Sequence, residues 1–405
     1  MRPSPASAAV AIAGTFAGAP AFAQTATPAP ASPSATSAAP APASTNITLP
    51  VPGMTGPLAF SPTPFSIDLG PLGKNYVTGV LSGLGLAQTN PVPGDKNGRI
   101  DLSNAQIMIQ KPDGVVQYYV QVGAYSLPAL GTEYIPVGEA NSDFFGPVPQ
   151  AFVKLAPTAN FSIEGGKLPT LIGAEYTFSF ENMNIERGLL WNQEPAVSRG
   201  VQVNYTAGPV AFAVSFNDGY YSDRFNWISG SATWTINSSN TLEFAAAGNA
   251  GSTPTSTVAT PLAQNNSSIY NIIYTYTSGP WTVTPYVQWS HVPKNVELGL
   301  LHDANTYGAA VLANYAFNSN FSLAGRIEFI GSTGSVSEGS PNLLYGPGSE
   351  AMSLTLTPTY QWKRLFVRGD FSFVKIFNAV DGFALGPNLN STSQVRGLLE
   401  TGVLF

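Results

Sequence analysis

The chain has 405 residues, of which 10% are charged and 11% aromatic, with a formal net charge of −6 and no cysteine. That charge content lies far below the roughly 25% of soluble proteins, the acidic balance argues against a nucleic-acid partner, and the missing thiols exclude disulfides and a Cys-type zinc site. A spanning helix needs about 20 consecutive apolar residues, and beyond the N-terminus Gly, Asn, Ser and Thr interrupt every apolar run.

Arg2 is the only charge before Asp68. The Ala-rich run Ala8–Ala19 follows it, then Pro20, and Ala21-x-Ala23 is a small-residue cleavage pattern. Residues 1–23 therefore read as a secretory signal peptide. Residues 24–64 are rich in Ala, Pro, Ser and Thr, too polar to bury a core, and read as a disordered periplasmic neck with polyproline II character. A flexible plug is the other reading of this stretch. Residues 65–405 form the remaining region, whose pattern is different throughout.

From Tyr76 onward the period is two. Thr282, Thr284, Tyr286, Gln288 and Ser290 alternate with Trp281, Val283, Pro285, Val287 and Trp289. Ser353, Thr355, Thr357 and Thr359 alternate with Met352, Leu354, Leu356 and Pro358. In strands such sets point to opposite faces. Short polar turns, such as Asn237-Ser238-Ser239-Asn240 and Ser278-Gly279-Pro280, alternate with long loops near 89–98, 126–149, 167–198, 218–226, 249–267, 292–305, 331–350 and 377–392. A soluble sandwich has no reason to sort its connections by length, whereas a bacterial barrel does. The turns and loops predict an all-β, transmembrane, antiparallel up-and-down barrel of about sixteen strands over residues 65–405.

Charged residues take the face opposite the apolar one. Lys154, Glu164, Arg199, Glu243, Arg326, Glu328, Arg368, Asp370, Arg396 and Glu400 are predicted to line a water-filled lumen, since a basic residue facing lipid at mid-depth costs about 2–4 kcal/mol. Asp101 and Lys375 fall on the lipid phase, and the strand around Leu102–Gln110 shifts phase as at a bulge. Ile273, Leu312 and Leu398 would face the lumen without an evident reason. Aromatics form two bands. Tyr205, Trp234, Tyr276, Trp281, Phe317, Phe321, Tyr360 and Trp362 lie beside short turns, and Phe216, Trp289, Tyr307, Phe329 and Phe373 lie near long loops. Amphipathic rings at two depths suit two membrane surfaces.

The chain ends with apolar residues alternating from Val395 to a terminal Phe405. This resembles the C-terminal assembly signal of outer-membrane barrels, which implies Phe405 as the feature read by the barrel assembly machinery. The stretch Gly165–Glu175, with its Gly-Lys-Leu-Pro, continues through Asn182-Met183-Asn184-Ile185-Glu186-Arg187-Gly188 to Ser198-Arg199-Gly200-Val201. It resembles the OmpL-like β-barrel porins, the second β-barrel porin family of Gram-negative outer membranes. The resemblance implies an outer-membrane porin of loosely defined substrate and supplies no catalytic residue or cofactor.

A closed barrel of about sixteen strands is wide enough for an aqueous channel. The predicted function is passive diffusion of small hydrophilic solutes or ions, with outer-membrane lipid as the surroundings. The alternative is a structural or adhesive barrel with a blocked lumen. The segment 168–198 follows the fifth strand, a placement that resembles the constriction loop of general porins. Its Glu175, Glu181, Glu186 and Glu194 outnumber Arg187, so a narrow opening there would weakly prefer cations. An external loop with solvated charges is the bland reading. General porins of this strand number are commonly trimeric, and small outward residues such as Gly230, Ala232, Gly325 and Gly397 leave room for a homotrimer. A Ser290/His291 hydrolase is opposed by geometry, because adjacent strand residues face opposite sides.

Overall fold

The structure, a computed structural model, describes residues 49–405. The expected signal peptide and residues 24–48 of the expected neck lie outside the described residues. A short strand β1 (Phe65–Asp68) precedes β2 (Lys74–Gln88), β3 (Gly98–Lys111), β4 (Val116–Tyr125), β5 (Gln150–Thr158) and β6 (Phe161–Pro169). Then come β7 (Val197–Ala207), β8 (Val210–Asn217), β9 (Trp227–Asn237), β10 (Asn240–Asn249), β11 (Ser268–Ser278) and β12 (Trp281–Val292). The last are β13 (Ala304–Ala316), β14 (Phe321–Ser332), β15 (Glu350–Trp362), β16 (Leu365–Phe377) and β17 (Ser393–Leu404).

Each strand from β2 to β17 pairs antiparallel with its sequence neighbours, and β17 returns to β2 from Arg396↔Gln88 to Leu404↔Val80. Of the seventeen paired strands, β2–β17 therefore close a sixteen-stranded cylinder. Closure leaves no free edge along β2–β17, so the strand ladders pair their backbone groups with one another and not with water. β1 pairs with the start of β2, Phe65↔Val77 to Asp68↔Lys74, and continues the seam where β17 ends. Among the described residues no helix is long and apolar enough to cross a membrane.

The period-two pattern sorts as expected. Leu323, Ile327, Leu354, Leu356, Val395 and Leu399 are exposed on the outer face, while Ser353, Thr355, Thr357 and Thr359 are buried inside. All eight aromatics of the short-turn band are exposed outward, as are Phe216, Trp289, Tyr307 and Phe373 of the other band. The phase shift in β3 is a bulge: Ser82 opposes Asn104 and Gly83 opposes Leu102, leaving Ser103 unpaired. The bulge reverses the faces above it, which corrects the expectation for Asp101. Its carboxylate accepts from the Tyr134 hydroxyl at 3.2 Å and from Val137 N at 3.1 Å, both in the loop after β4. Lys375 does sit on the outer face near the loop end, where its Nζ reaches Thr392 Oγ1 at 2.8 Å, as a long side chain does near an interface.

The expected neck differs over residues 49–64. Thr55 N and Gly56 N donate to Glu181 O at 2.8 and 3.2 Å, and Gln361 exchanges two hydrogen bonds with the Ala59 backbone. Leu58 is buried in a cluster with Val80, Met108, Phe178 and Phe180, and Phe60 meets Phe180 edge-on at 6.0 Å. Apolar residues scattered through a Pro-rich stretch thus find partners inside the short-turn mouth, which composition alone does not show.

At the seam, Gly79 N and Phe405 N each donate to the other residue's carbonyl, at 2.8 and 3.0 Å. The Phe405 ring covers Gly79 so closely that a Cβ there would collide with it. Gly79→Leu is expected to displace the ring and to cost about 1–3 kcal/mol of overpacking. It should lower the heat-modifiable, folded fraction on refolding into detergent. Wild-type refolding would contradict this reading of the seam.

Candidate functional site

The lumen is occupied by chain segments from the long-loop end. The segment 170–196, between β6 and β7, folds inward, and the loop after β4 follows it through Leu130 N to Arg187 O (2.9 Å) and Arg187 N to Pro128 O (3.2 Å). Three guanidinium groups within the four-strand stretch β14–β17 hold this mass against one wall. On β14, Arg326 Nη1 donates to Glu175 Oε1 at 2.6 Å and to Glu186 O at 2.7 Å. On β16, Arg368 donates to the carbonyls of Ser179, Asn182 and Met183 at 2.8–3.0 Å. On β17, Arg396 reaches Glu186 Oε1 at 2.5 Å and the carbonyls of Ala129 and Thr132 at 2.9 Å.

The wall acids complete the latch. Asp370 accepts from the backbone N–H groups of Ile185 and Glu186 at 2.9 and 3.0 Å. Glu328 accepts from Leu189 N and Leu190 N at 3.0 and 3.3 Å. Glu400 Oε1 accepts from Ser179 Oγ at 2.9 Å, and its other oxygen pairs with Arg368 at 3.7 Å. Asn184 Nδ2 donates to Thr357 Oγ1 at 2.6 Å. Apolar contacts follow the same course. Ile273 and Leu312 pack in one cluster with Met183, Leu189 and Leu190, and Leu398 packs with Tyr134 and Ile185. The three inward apolar side chains that the sequence left unexplained are docking points for the loops.

Six of the ten expected lumen residues, Arg326, Glu328, Arg368, Asp370, Arg396 and Glu400, are thus inward but buried under chain rather than bathed in open water. This corrects their reading as pore walls: an inward charge is satisfied here by loop backbone and carboxylates. Arg199 points to the base of the next loop, pairing with Asp218 at 2.8 Å and lying over Tyr221 at 4.1 Å. Lys154, Glu164 and Glu243 stay partly exposed. Among the described residues neither Lys154 nor Glu243 has a salt bridge, and Glu164 accepts from Gln202 at 2.8 Å.

The acids expected to edge a constriction are also differently employed. Glu175 and Glu186 are consumed by Arg326 and Arg396, and Glu181 accepts from Phe178 N at 2.9 Å in its own turn. Arg187 is fully buried with its guanidinium over Trp191 at 5.0 Å. Glu194 is buried, and among the described residues neither carboxylate oxygen has a hydrogen-bond partner.

Water-accessible space survives on the opposite side. A cavity of about 630 Å³ runs along β9–β13, bounded by Glu243, Thr275, Thr277, Thr282 and Thr284 on the wall and by Leu171 and Gly173 on the inward segment. It reaches the short-turn end beside Met54–Gly56. Nothing in the strand pattern distinguishes this threonine-rich wall from the sealed one; the signal was the apolar content of segment 170–196, which needs a dry partner. Ser290 and His291 part as their adjacency requires: Ser290 Oγ meets Thr306 Oγ1 at 2.5 Å inside, while the His291 ring stacks on Trp289 at 6.0 Å.

The family model described as "Putative beta-barrel porin-2, OmpL-like" matches residues 75–405. No curated protein matches in sequence. Solved structures with the same fold include an anion-selective porin from Comamonas acidovorans, with TM-score 0.56, 12% identity and coverage of 82% of this chain and 99% of that one. The trimer form of in-vitro folded OmpT of Vibrio cholerae gives 0.54, 10%, 82% and 99% on the same measures. Salmonella typhi OmpF in complex with daunomycin gives 0.53, 14%, 84% and 100%.

Arg326→Ala is expected to leave Glu175 and Glu328 uncompensated, a loss of about 3–5 kcal/mol for a broken buried pair. Urea unfolding of the refolded barrel in micelles reads the loss, and limited proteolysis should then cut within 170–196. Resistance to cleavage with unchanged stability would show that the latch does not hold the segment.

Proposed function

The chain belongs to the OmpL-like family of β-barrel porins and is an outer-membrane channel, and from that premise we propose a weakly cation-preferring, one-sided passage along β9–β13. The observation that supports this is the division of charge. The guanidinium groups of Arg326, Arg368 and Arg396 are neutralised by loop carboxylates, carbonyls and wall acids, whereas Glu243 on the free wall has, among the described residues, only Thr233 Oγ1 as partner, at 3.0 Å. An unpaired carboxylate in a narrow, low-dielectric passage attracts cations. Threonine hydroxyls offer exchangeable hydrogen bonds to small hydrophilic solutes without binding them tightly. Lys154 and Glu164 flank a second space near Tyr176 and oppose each other in sign, so they add little net preference.

The role is diffusion and not catalysis. Phe405, whose backbone pairs with Gly79 at the closing seam, is the residue we propose for contact with the barrel assembly machinery. Outward Gly230, Ala232, Gly325 and Gly397 support packing into a homotrimer, as does the trimer form of the OmpT structure. A sealed structural barrel is the second reading, favoured by the dry contact between the inward segment and its wall. It requires silence in planar bilayers, where the porin reading requires ohmic single-channel steps.

Under a KCl gradient the reversal potential should indicate a modest cation preference. Glu243→Gln should move it toward zero with little change in conductance. Strong anion selectivity, or a Glu243→Gln channel identical to wild type, would defeat the proposed ion preference.

A further inference from the structure

A cavity of about 350 Å³ lies at the short-turn end, bounded by Pro50, Val51 and Gly53 and by the inner faces of β3–β7. Lys154 on β5 and Glu164 on β6 are direct cross-strand partners, and both line this space. Side chains so placed have Cβ atoms about 4.5–5.5 Å apart, close enough for opposite charges to pair. These two do not close into an ion pair, because Glu164 is drawn the other way. Gln202 Nε2 on β7 donates to Glu164 Oε1 at 2.8 Å and to Asn204 Oδ1 at 2.8 Å. Among the described residues the Lys154 ammonium has no hydrogen-bond partner, and no hydrogen bond reaches the second Glu164 oxygen. Both residues are partly exposed, and both of these free atoms stay accessible. Lys111, the other charged residue of the lining, is occupied by Asp113 Oδ1 at 3.1 Å and Val116 O at 3.2 Å.

This open pair selects among occupants. A lone anion would gain Lys154 but face Glu164, and a lone cation would meet the reverse. One carboxylate cannot replace the oxygen shell of a hard metal ion, which takes six or more oxygen ligands. A small zwitterion satisfies both groups. Its carboxylate takes the Lys154 N–H donors, and its ammonium reaches the free Glu164 oxygen, giving two charge-assisted hydrogen bonds of opposite sense. The rings of Tyr119 and Phe152, 5.6 Å apart, and of Tyr118 offer an aromatic wall to the rest of the solute. A dry cavity of about 150 Å³ holds a benzene, so this one has room for a ring beside the charged end. Thr170 and Tyr176 line both this cavity and the threonine-lined passage, so the two spaces adjoin.

We infer that Lys154 and Glu164 form a recognition site for small zwitterionic solutes, α-amino acids in chemical class, at the short-turn mouth of the barrel. The inference rests on the channel reading for its transport meaning, but the site stands on its own geometry.

The test uses the full-length barrel folded in a nonionic detergent at neutral pH. L-phenylalanine is the probe, and phenethylammonium and 3-phenylpropanoate are its singly charged counterparts. Calorimetric titration should show phenylalanine binding at least about tenfold more tightly than either counterpart. Lys154→Met should weaken phenylalanine about tenfold and leave phenethylammonium no weaker. Glu164→Gln should weaken phenylalanine about tenfold and leave 3-phenylpropanoate no weaker. Lys154→Arg, which keeps the cation, should retain phenylalanine binding. Heat-modifiable migration confirms that each variant is folded, and the three-ligand comparison on wild type decides alone where a variant is not. No phenylalanine binding, equal affinity for phenylalanine and either counterpart, or wild-type affinity in folded Lys154→Met or Glu164→Gln would each overturn the site. KCl conductance of the same preparation separates the two readings. Binding without current removes the channel and leaves the site, and current without binding removes the site and leaves the channel.

Discussion

A guanidinium buried inside a barrel needs acceptors in several directions at once, and it finds them here only if a particular stretch of chain is in place. Arg326, Arg368 and Arg396 stand on β14, β16 and β17 and are each almost fully buried. Their acceptors are mostly carbonyls and carboxylates of the inward segments. Replacing such pairs with apolar residues is often neutral for stability, while removing one partner is costly. The groups therefore act less as a source of overall stability than as a fix on position: the segment can satisfy all three only in one placement. The wall acids Glu328 and Asp370 add the complementary half by accepting from its backbone N–H groups.

This one-sided latch divides the interior. The lumen is dry against β14–β17 and β2–β3, and also where Ile273, Tyr286 and Leu312 of β11–β13 meet the inward segment, whose Leu190 carbonyl accepts from Gln288 at 3.0 Å. Along β9–β13 the wall keeps threonines and a carboxylate facing space. In the proposed passage, function follows from which wall the loop chooses, because charge on the latched side is already neutralised. The strap at residues 51–60 reinforces the arrangement from the short-turn end by bonding to Glu181, itself part of the latched segment.

The cylinder was largely legible in the sequence, since side-chain alternation and the sorting of connections by length are local properties. That a long segment follows the fifth barrel strand was legible too, but its course, inward or external, was not. What alternation does not encode is what covers an inward residue. Arg326 and Glu243 have the same phase signature, yet one is sealed and the other solvated, and the difference lies in the tertiary course of a distant loop. Ile273, Leu312 and Leu398 were the available clue, because an apolar side chain facing a supposed water channel implies a partner. The strap escaped notice for a related reason: Val51, Met54, Leu58 and Phe60 are too sparse to signal a core, but the barrel mouth provides one ready-made. Asp101 was placed on the wrong face because a single unpaired residue, Ser103, reverses the phase.

The absence of native cysteines makes the latch directly measurable. Cysteines introduced at Asn184 and Thr357, whose side chains touch at 2.6 Å, would be bridged with a short bifunctional methanethiosulfonate in the folded barrel, and single-channel current recorded before and after. A loop seated on this wall predicts efficient bridging with conductance unchanged, because ions pass on the other side. Failure to bridge, or bridging that abolishes the current, would contradict the one-sided passage.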